Sequence, residues 1–447
     1  MTQSSTLWLS QIQFFASLAF MLLFLALELG LAWMLAYMRV RSLASPVSPW
    51  MGAYRFWVRV FALASFVAFA ASIPVMVQLG SLWPGLLGKI GDVAGPLLAA
   101  GLATVYVFKT CFLGAMLFGE RRLSSRAHAA VVVLVAVGST LMVLWLVVLV
   151  SWMHIPAGAQ FTEGRYQVEN WLQVVFNPAF PWYAGLYLLG SLLCAAFLVI
   201  AVVAVQSLRR PSEPSERLAF RMALRVACAC IVLQGLCAAG DGLVAARYLP
   251  AKAAAVSGYW HSGHAPDMVL FGWPDAGSAR NRAAWSLPEA GKPWLARDDD
   301  GRPRGLDQFS GMAPPVAATF WFFRAAVLTG LALALVAGVT LVRIHRSAYD
   351  PGVLSRAWRH VLGATSFMSW ILILAGLAYI LLAAYPYAVT GTITVAEIAG
   401  SADFSLLASV LVASLLLYGL FIAGFLRMVR HIARYGVVPV ARHRGRA

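Results

Sequence analysis

The sequence predicts an all-α polytopic membrane protein: nine transmembrane helices, with one long outward-facing polar loop between helices six and seven. Three observations carry this. Hydrophobic residues make up 61% of the 447 positions and charged residues 12%, a balance foreign to a water-soluble domain. The apolar residues gather in nine runs, each long enough to cross about 30 Å of hydrocarbon as a helix of about 20 residues. Backbone polar groups in lipid must be satisfied within the segment, and no run alternates like a barrel strand, so helix is the remaining solution.

Charge sets the expected orientation. The formal net charge of +16 suggests nucleic acid until its distribution is considered. Most of the 34 Lys and Arg residues follow runs one, three, five and seven or lie in the C-terminal tail, whereas the segments after runs two, four and eight hold only Lys89 and Arg165. The positive-inside rule then places the N-terminus and the long loop outside, and the C-terminus in the cytoplasm. Arg121, Arg122 and Arg126, and likewise Arg442, Arg444 and Arg446, act as topology anchors at the lipid bilayer, and no nucleic-acid partner is expected.

The first run, 13–38, lacks a basic leader and a small-residue cleavage site, and is expected to be retained. It carries Glu28 deep among apolar residues, where a carboxylate needs a partner, water or a proton. The second, 54–79, is entered through the interfacial anchor Tyr54-Arg55-Phe56-Trp57-Val58-Arg59. The third, 93–118, holds Lys109, a lysine in mid-span. With runs one and three parallel, a rise of 1.5 Å per residue puts Glu28 and Lys109 both about 15 Å from the inner boundary. They are expected to form an intramembrane ion pair and are candidates for a proton path. The alternative is a snorkelling Lys109 and a protonated Glu28.

The fourth run, 128–153, continues through Gly138-Ser139-Thr140 to Trp152-Met153-His154. The fifth, 183–207, is uncharged, and the sixth, 219–246, ends at Gly240-Asp241-Gly242. The seventh, 316–342, contains Trp321-Phe322-Phe323-Arg324, whose guanidinium is expected on the bundle side, forming an outer polar cluster with Asp241. Runs eight and nine, 358–385 and 404–430, complete the bundle. Cys111, Cys194, Cys228, Cys230 and Cys237 all fall in runs without clustered metal ligands, which predicts buried, inert thiols. The loop, 247–315, mixes acids and bases. Its Asp298-Asp299-Asp300-Gly301 lacks the ligand spacing of a calcium site and predicts an irregular lid.

Several segments share a pattern: Leu9-Ser10 with Gln13-Phe14, Gly91-Asp92, Gly138-Ser139, Trp152-Met153 with Pro156 and Gly158, Asn177-Pro178, Gly240-Asp241, Lys252 with Trp260, Phe271-Gly272-Trp273-Pro274-Asp275, and Phe323-Arg324. In order and spacing the chain resembles subunit I of the cytochrome bd-type quinol oxidases. The resemblance implies a quinol site at the outward loop and three haems held within the helices. Carried over position by position, it also exposes departures. The axial histidine of the high-spin b haem falls on Met21, the glutamate ligand of the third helix near Gly101, and the acidic residue beyond it on Lys109. The histidine and methionine of the low-spin haem fall on Leu186 and Ala326, and the acidic residue of the eighth helix falls near Leu374. The Gly-Arg-Gln-Pro signature is reduced to Ala384-Tyr385-Pro386-Tyr387.

Leucine and alanine have no lone pair for iron, and a lysine in place of a carboxylate disfavours a ferric haem. Met21 and His154 remain weak haem candidates. Lys252 matches the family's quinol-contacting lysine, but the glutamate five residues on is Ser257. Quinol oxidation needs a proton acceptor, and His261, His264 or Asp267 could serve beside Trp260, as could none of them if the loop histidines are merely solvated. No catalytic residue is assigned. The resemblance with these departures predicts a haem-poor or haem-free subunit I derivative. Haem b and haem d are then expected in a haem-bearing bd-type subunit I as partner, with quinol and small single-helix subunits as further candidates. Two rivals stay open: a catalytic quinol oxidase subunit binding haem through non-standard ligands, and a transporter, although no inverted repeat supports the latter.

Overall fold

Helix α1, Thr2–Arg41, is apolar around its whole circumference and runs through the middle of the bundle, as such a helix must. The structure is a computed structural model and describes residues 2–45 and 48–435. The basic residues Arg442, Arg444 and Arg446 lie outside the described residues. Among the described residues, 9 helices are long and apolar enough to cross a membrane. The others are α2 Pro49–Ser81, α3 Pro84–Arg121, α4 Ser125–His154, α5 Phe180–Gln206, α6 Pro214–Tyr248, α7 Val316–Ile344, α8 Arg356–Ala384 and α9 Phe404–Tyr435.

Several helices begin ahead of their apolar runs because their start signals are polar. Ser48 caps α2 ahead of Pro49, Ser124 accepts from the Ala127 amide at 3.2 Å, and Glu213 with Glu216 forms a capping box at the head of α6. α5 packs beside α1 at the centre, with Leu193 to Ala201 all buried. Gly30 allows this approach, since a Cβ there would lie 2.0 Å from the Ser191 carbonyl oxygen. α9 closes over α1 through Tyr418, stacked on Phe20 at 4.3 Å and donating to Ser17 Oγ at 2.8 Å.

α3 departs from a plain helix. Ile90 takes φ −120° and ψ 15°, and residues Tyr106–Leu113 form a π-helical segment around Lys109. Such segments are rare and change the face on which the following side chains emerge. Cys194 and Cys230 are buried, but Cys111 is exposed on α3, which corrects the expectation that all five thiols are buried. Arg121, Arg122 and Arg126 are exposed where α3 gives way to α4, the placement a topology anchor requires.

The connection between α6 and α7 is more regular than expected. It opens with a short helix, Pro250–Ser257. Of the strands, numbered along the chain, β1 Ala159–Thr162 and β2 Arg165–Val168 form a hairpin between α4 and α5. Within the long loop, β3 Met268–Asp275 pairs antiparallel with β4 Arg280–Leu287, and β5 Tyr387–Val389 with β6 Ile393–Thr394 forms the last small sheet. The β3–β4 strands escape a period-two search because the register shifts twice, between Val269 and Phe271 and between Phe271 and Trp273. The Asp298 turn is irregular as expected, with Asp298 Oδ1 accepting from the Arg302 amide at 2.7 Å.

Candidate functional site

Glu28 is 1% exposed, and its Oε2 receives Lys109 Nζ at 3.0 Å. The expected intramembrane ion pair therefore exists between α1 and α3. The π-helical turn carries Lys109 to α1, and Gly138 of α4 gives room for it: a Cβ at Gly138 would lie 2.1 Å from Phe108 Cγ. Beside the pair is a cavity of about 10 Å³ lined by Thr104, Ser139 and Met142 among others, close to the minimum for a single water. Thr104 accepts from Trp145 Nε1 at 3.2 Å, so the polar lining is held in place.

A second charged cluster lies where the long loop meets the bundle. The short helix Pro250–Ser257 turns Lys252 inward until it is 2% exposed. Its ammonium donates to Tyr183 Oη at 3.3 Å and to Asp241 Oδ2 at 3.4 Å, and lies 4.6 Å from the Tyr379 ring centre, a cation–π distance. The His154 ring meets Tyr183 edge-on at 5.4 Å. Its Nδ1 lies 2.8 Å from the Val150 carbonyl oxygen and its Nε2 3.2 Å from that of Ile380, and a neutral ring donates to one of the two, so backbone oxygens crowd both nitrogens.

Arg324 does not join Asp241, contrary to expectation. Its guanidinium donates to the carbonyl oxygens of Leu270 at 2.9 Å, Val256 and Phe320 at 3.0 Å each, and Val269, while lying over the Phe320 ring. Three of those carbonyls belong to the loop, so Arg324 ties the loop to α7, and Asp241 turns to Lys252. Sequence reasoning missed Tyr183 and Tyr379, which look like ordinary interfacial tyrosines until the loop lysine is placed between them.

The loop candidates are more scattered. Trp260 donates from Nε1 to Asn281 Oδ1 at 3.0 Å and holds the loop together. His261 and His264 are exposed with ring centres 5.6 Å apart, and the structure does not bring them to buried Lys252. Asp267 accepts from the Glu289 amide at 3.1 Å. Burial opposes ionisation of Asp307, but hydrogen bonds from the Ser262 side chain and amide outweigh it and hold the carboxyl below its usual range.

With this geometry in place, comparison with known proteins is decisive about the family. The family model for cytochrome bd terminal oxidase subunit I matches residues 9–437. This chain belongs to that family. It is 27% identical over 352 residues to cytochrome bd ubiquinol oxidase subunit 1 of Bacillus subtilis (strain 168), covering 74% of each chain. It is also 27% identical over 285 residues to cytochrome bd-II ubiquinol oxidase subunit 1 of Escherichia coli (strain K12), covering 63% of this chain and 55% of that one. The structure of bd oxidase from Geobacillus thermodenitrificans superposes with a TM-score of 0.87 at 22% identity, over 98% of this chain and 100% of that one, a likeness of fold. The chain is a multi-pass membrane subunit of the bd oxidase type, as the resemblance implied.

Within the bd subunit I frame, the positions expected to hold haem ligands are apolar or cationic. Met21 is buried in the principal core, and Leu374 and Ala326 pack against it. Leu186 accepts through its backbone oxygen from Gln234 Nε2 at 3.1 Å. Gly101 faces Trp145, whose Cβ would lie 3.8 Å from an added Cβ. Lys109 is committed to Glu28. Among the described residues, no three His, Cys, Asp or Glu side chains gather where they could hold a metal ion.

Proposed function

We propose that this chain is a haem-free subunit I relative in a bd-type oxidase complex, and that its partner is a haem-bearing subunit I. The observation that carries this reading is the Glu28–Lys109 pair. The resemblance expects an acidic residue near haem at the Lys109 position, yet here a lysine closes onto a carboxylate of α1 and leaves about 10 Å³ beside it. The other positions support the same reading: Leu186 and Ala326 offer only carbon, Gly101 offers no side chain, and Met21 is a lone thioether in a packed core. These residues do not fit a haem held in the family's manner, and no redox step is assigned to this chain.

On this reading the subunit supplies membrane packing area and a lid. Its loop lies outside and its C-terminal tail in the cytoplasm, as the charge asymmetry argues. Quinol chemistry belongs to the partner, since a quinol reaching Lys252 would have to displace Asp241 and the tyrosines that enclose it. The test is a pyridine haemochrome assay with a visible spectrum of the purified polypeptide, alone and co-purified with a haem-bearing subunit I. No Soret band alone and a strong one in the complex is the expected result. Stoichiometric haem in the isolated polypeptide would overturn the reading, and quinol-dependent oxygen uptake by it would favour the rival of a catalytic subunit with unfamiliar ligands.

A further inference from the structure

The β3–β4 hairpin has its sides reversed. Along β3, Phe271 and Trp273 are exposed while Gly272 between them and Pro274 after them are buried. Along β4, Trp285 and Leu287 are exposed while Ser286 is half-buried. A hairpin facing water turns its large apolar side chains inward and its small or polar ones outward. Here Trp285 is 69% exposed and Trp273 63%, and Phe271 pairs directly across from Trp285. The result is an aromatic outer face that continues onto Trp321 of α7, with Arg282 across from Trp273 at its edge.

Its position on the bundle bears on what covers it. Phe271 and Trp273 meet Trp321 of α7, with ring centres 5.1 and 5.4 Å apart. Leu328, Leu335 and Val342 follow Trp321 at successive seven-residue steps along one stripe of α7, and all three are exposed, as lipid-facing residues of a span are. The hairpin's aromatic face therefore continues the lipid-facing stripe of α7 at the end where the long loop emerges. Trp321 lies five residues into α7, about 8 Å along its axis. Tryptophan is enriched at the membrane–water interface, which lies at the ends of apolar spans. Arg324 keeps the hairpin there by gripping the Val269 and Leu270 carbonyls from the same helix.

We propose that the aromatic face of the β3–β4 hairpin is a membrane contact, with Phe271, Trp273, Trp285 and Leu287 set into the interfacial zone of the leaflet on the loop's side. Its occupant is the phospholipid bilayer. The loop is thereby fastened twice, by Arg324 to the bundle and by its aromatic face to lipid. This inference is independent of haem content.

The test uses the full chain in vesicles of phosphatidylcholine and phosphatidylglycerol. A nitroxide is placed at W285C, in a background whose native cysteines are replaced by alanine, and its accessibility to oxygen and to a water-soluble nickel chelate is compared with a control label at D299C. The expected result is oxygen-favoured relaxation at 285 and nickel-favoured relaxation at 299. Equal, aqueous accessibility at both sites overturns the proposal. A label at 285 shielded from both reagents also overturns it, because a protein partner rather than lipid would then cover the face. Should the cysteine replacements impair folding, the wild type and W273Y/W285Y are compared in vesicles of brominated phosphatidylcholine. The proposal requires the double variant to lose a lipid-quenchable part of the tryptophan emission, and an unchanged quenchable part overturns it.

Discussion

Lys109 and Glu28, on different helices and deep in the membrane, are each other's partner at 3.0 Å. Glu28 is almost fully enclosed and Lys109 is 17% exposed, so water can relieve little of either charge. Removing one member of such a pair leaves an uncompensated buried charge, a loss of about 3–5 kcal/mol in comparable sites. Removing both together leaves none.

The two single variants, Lys109→Met and Glu28→Gln, are therefore expected to lower the thermal stability of the detergent-purified protein, and the double variant to recover most of it. A melting series over the four proteins measures this. Additive losses in the double variant would mean that the pair is not a coupled unit.

Arg324 bridges four backbone carbonyls, three of them in the loop, with no carboxylate among those contacts. Lysine retains the charge but not the planar fork that reaches several acceptors at once. Arg324→Lys and Arg324→Gln should both free the loop, raising proteolytic cleavage within 258–290 severalfold while the helices stay protected. Mass spectrometry of a limited digest reads the outcome, and an unchanged cleavage pattern would contradict the role assigned to Arg324.

Glu397 carries a pH signature outside the membrane spans. The hydrogen bond from Lys89, with those from Thr394, draws its carboxyl from the usual 4.5 down to about 2. A lowered folded-state value means that the contribution is complete above about pH 4.5 and is lost as pH falls toward 2. Amide protection around Thr394–Ile398, corrected for the intrinsic pH dependence of exchange, should fall across that window. Lys89→Ala should move the midpoint upward, toward the value of a free glutamate.

Much of this protein was decided by properties local to the chain. Hydropathy runs placed all nine spans to within several residues at most ends, because crossing the bilayer depends on the summed polarity of one continuous segment. The carbon-only side chains at Leu186 and Ala326 were equally legible, since donor atoms belong to a residue whatever surrounds it. Even the Glu28–Lys109 pair could be placed by depth, because rise along a helix converts sequence position directly into distance.

Which polar groups meet around the axis was decided only by the tertiary structure. A shift of one residue turns a helical side chain by about 100°, so depth places Arg324 and Asp241 near one level but not face to face. The fold gave Asp241 to Lys252 and sent Arg324 to the loop backbone. The hairpin's outward aromatic face was likewise hidden, because two register shifts erase the alternation that would have announced it.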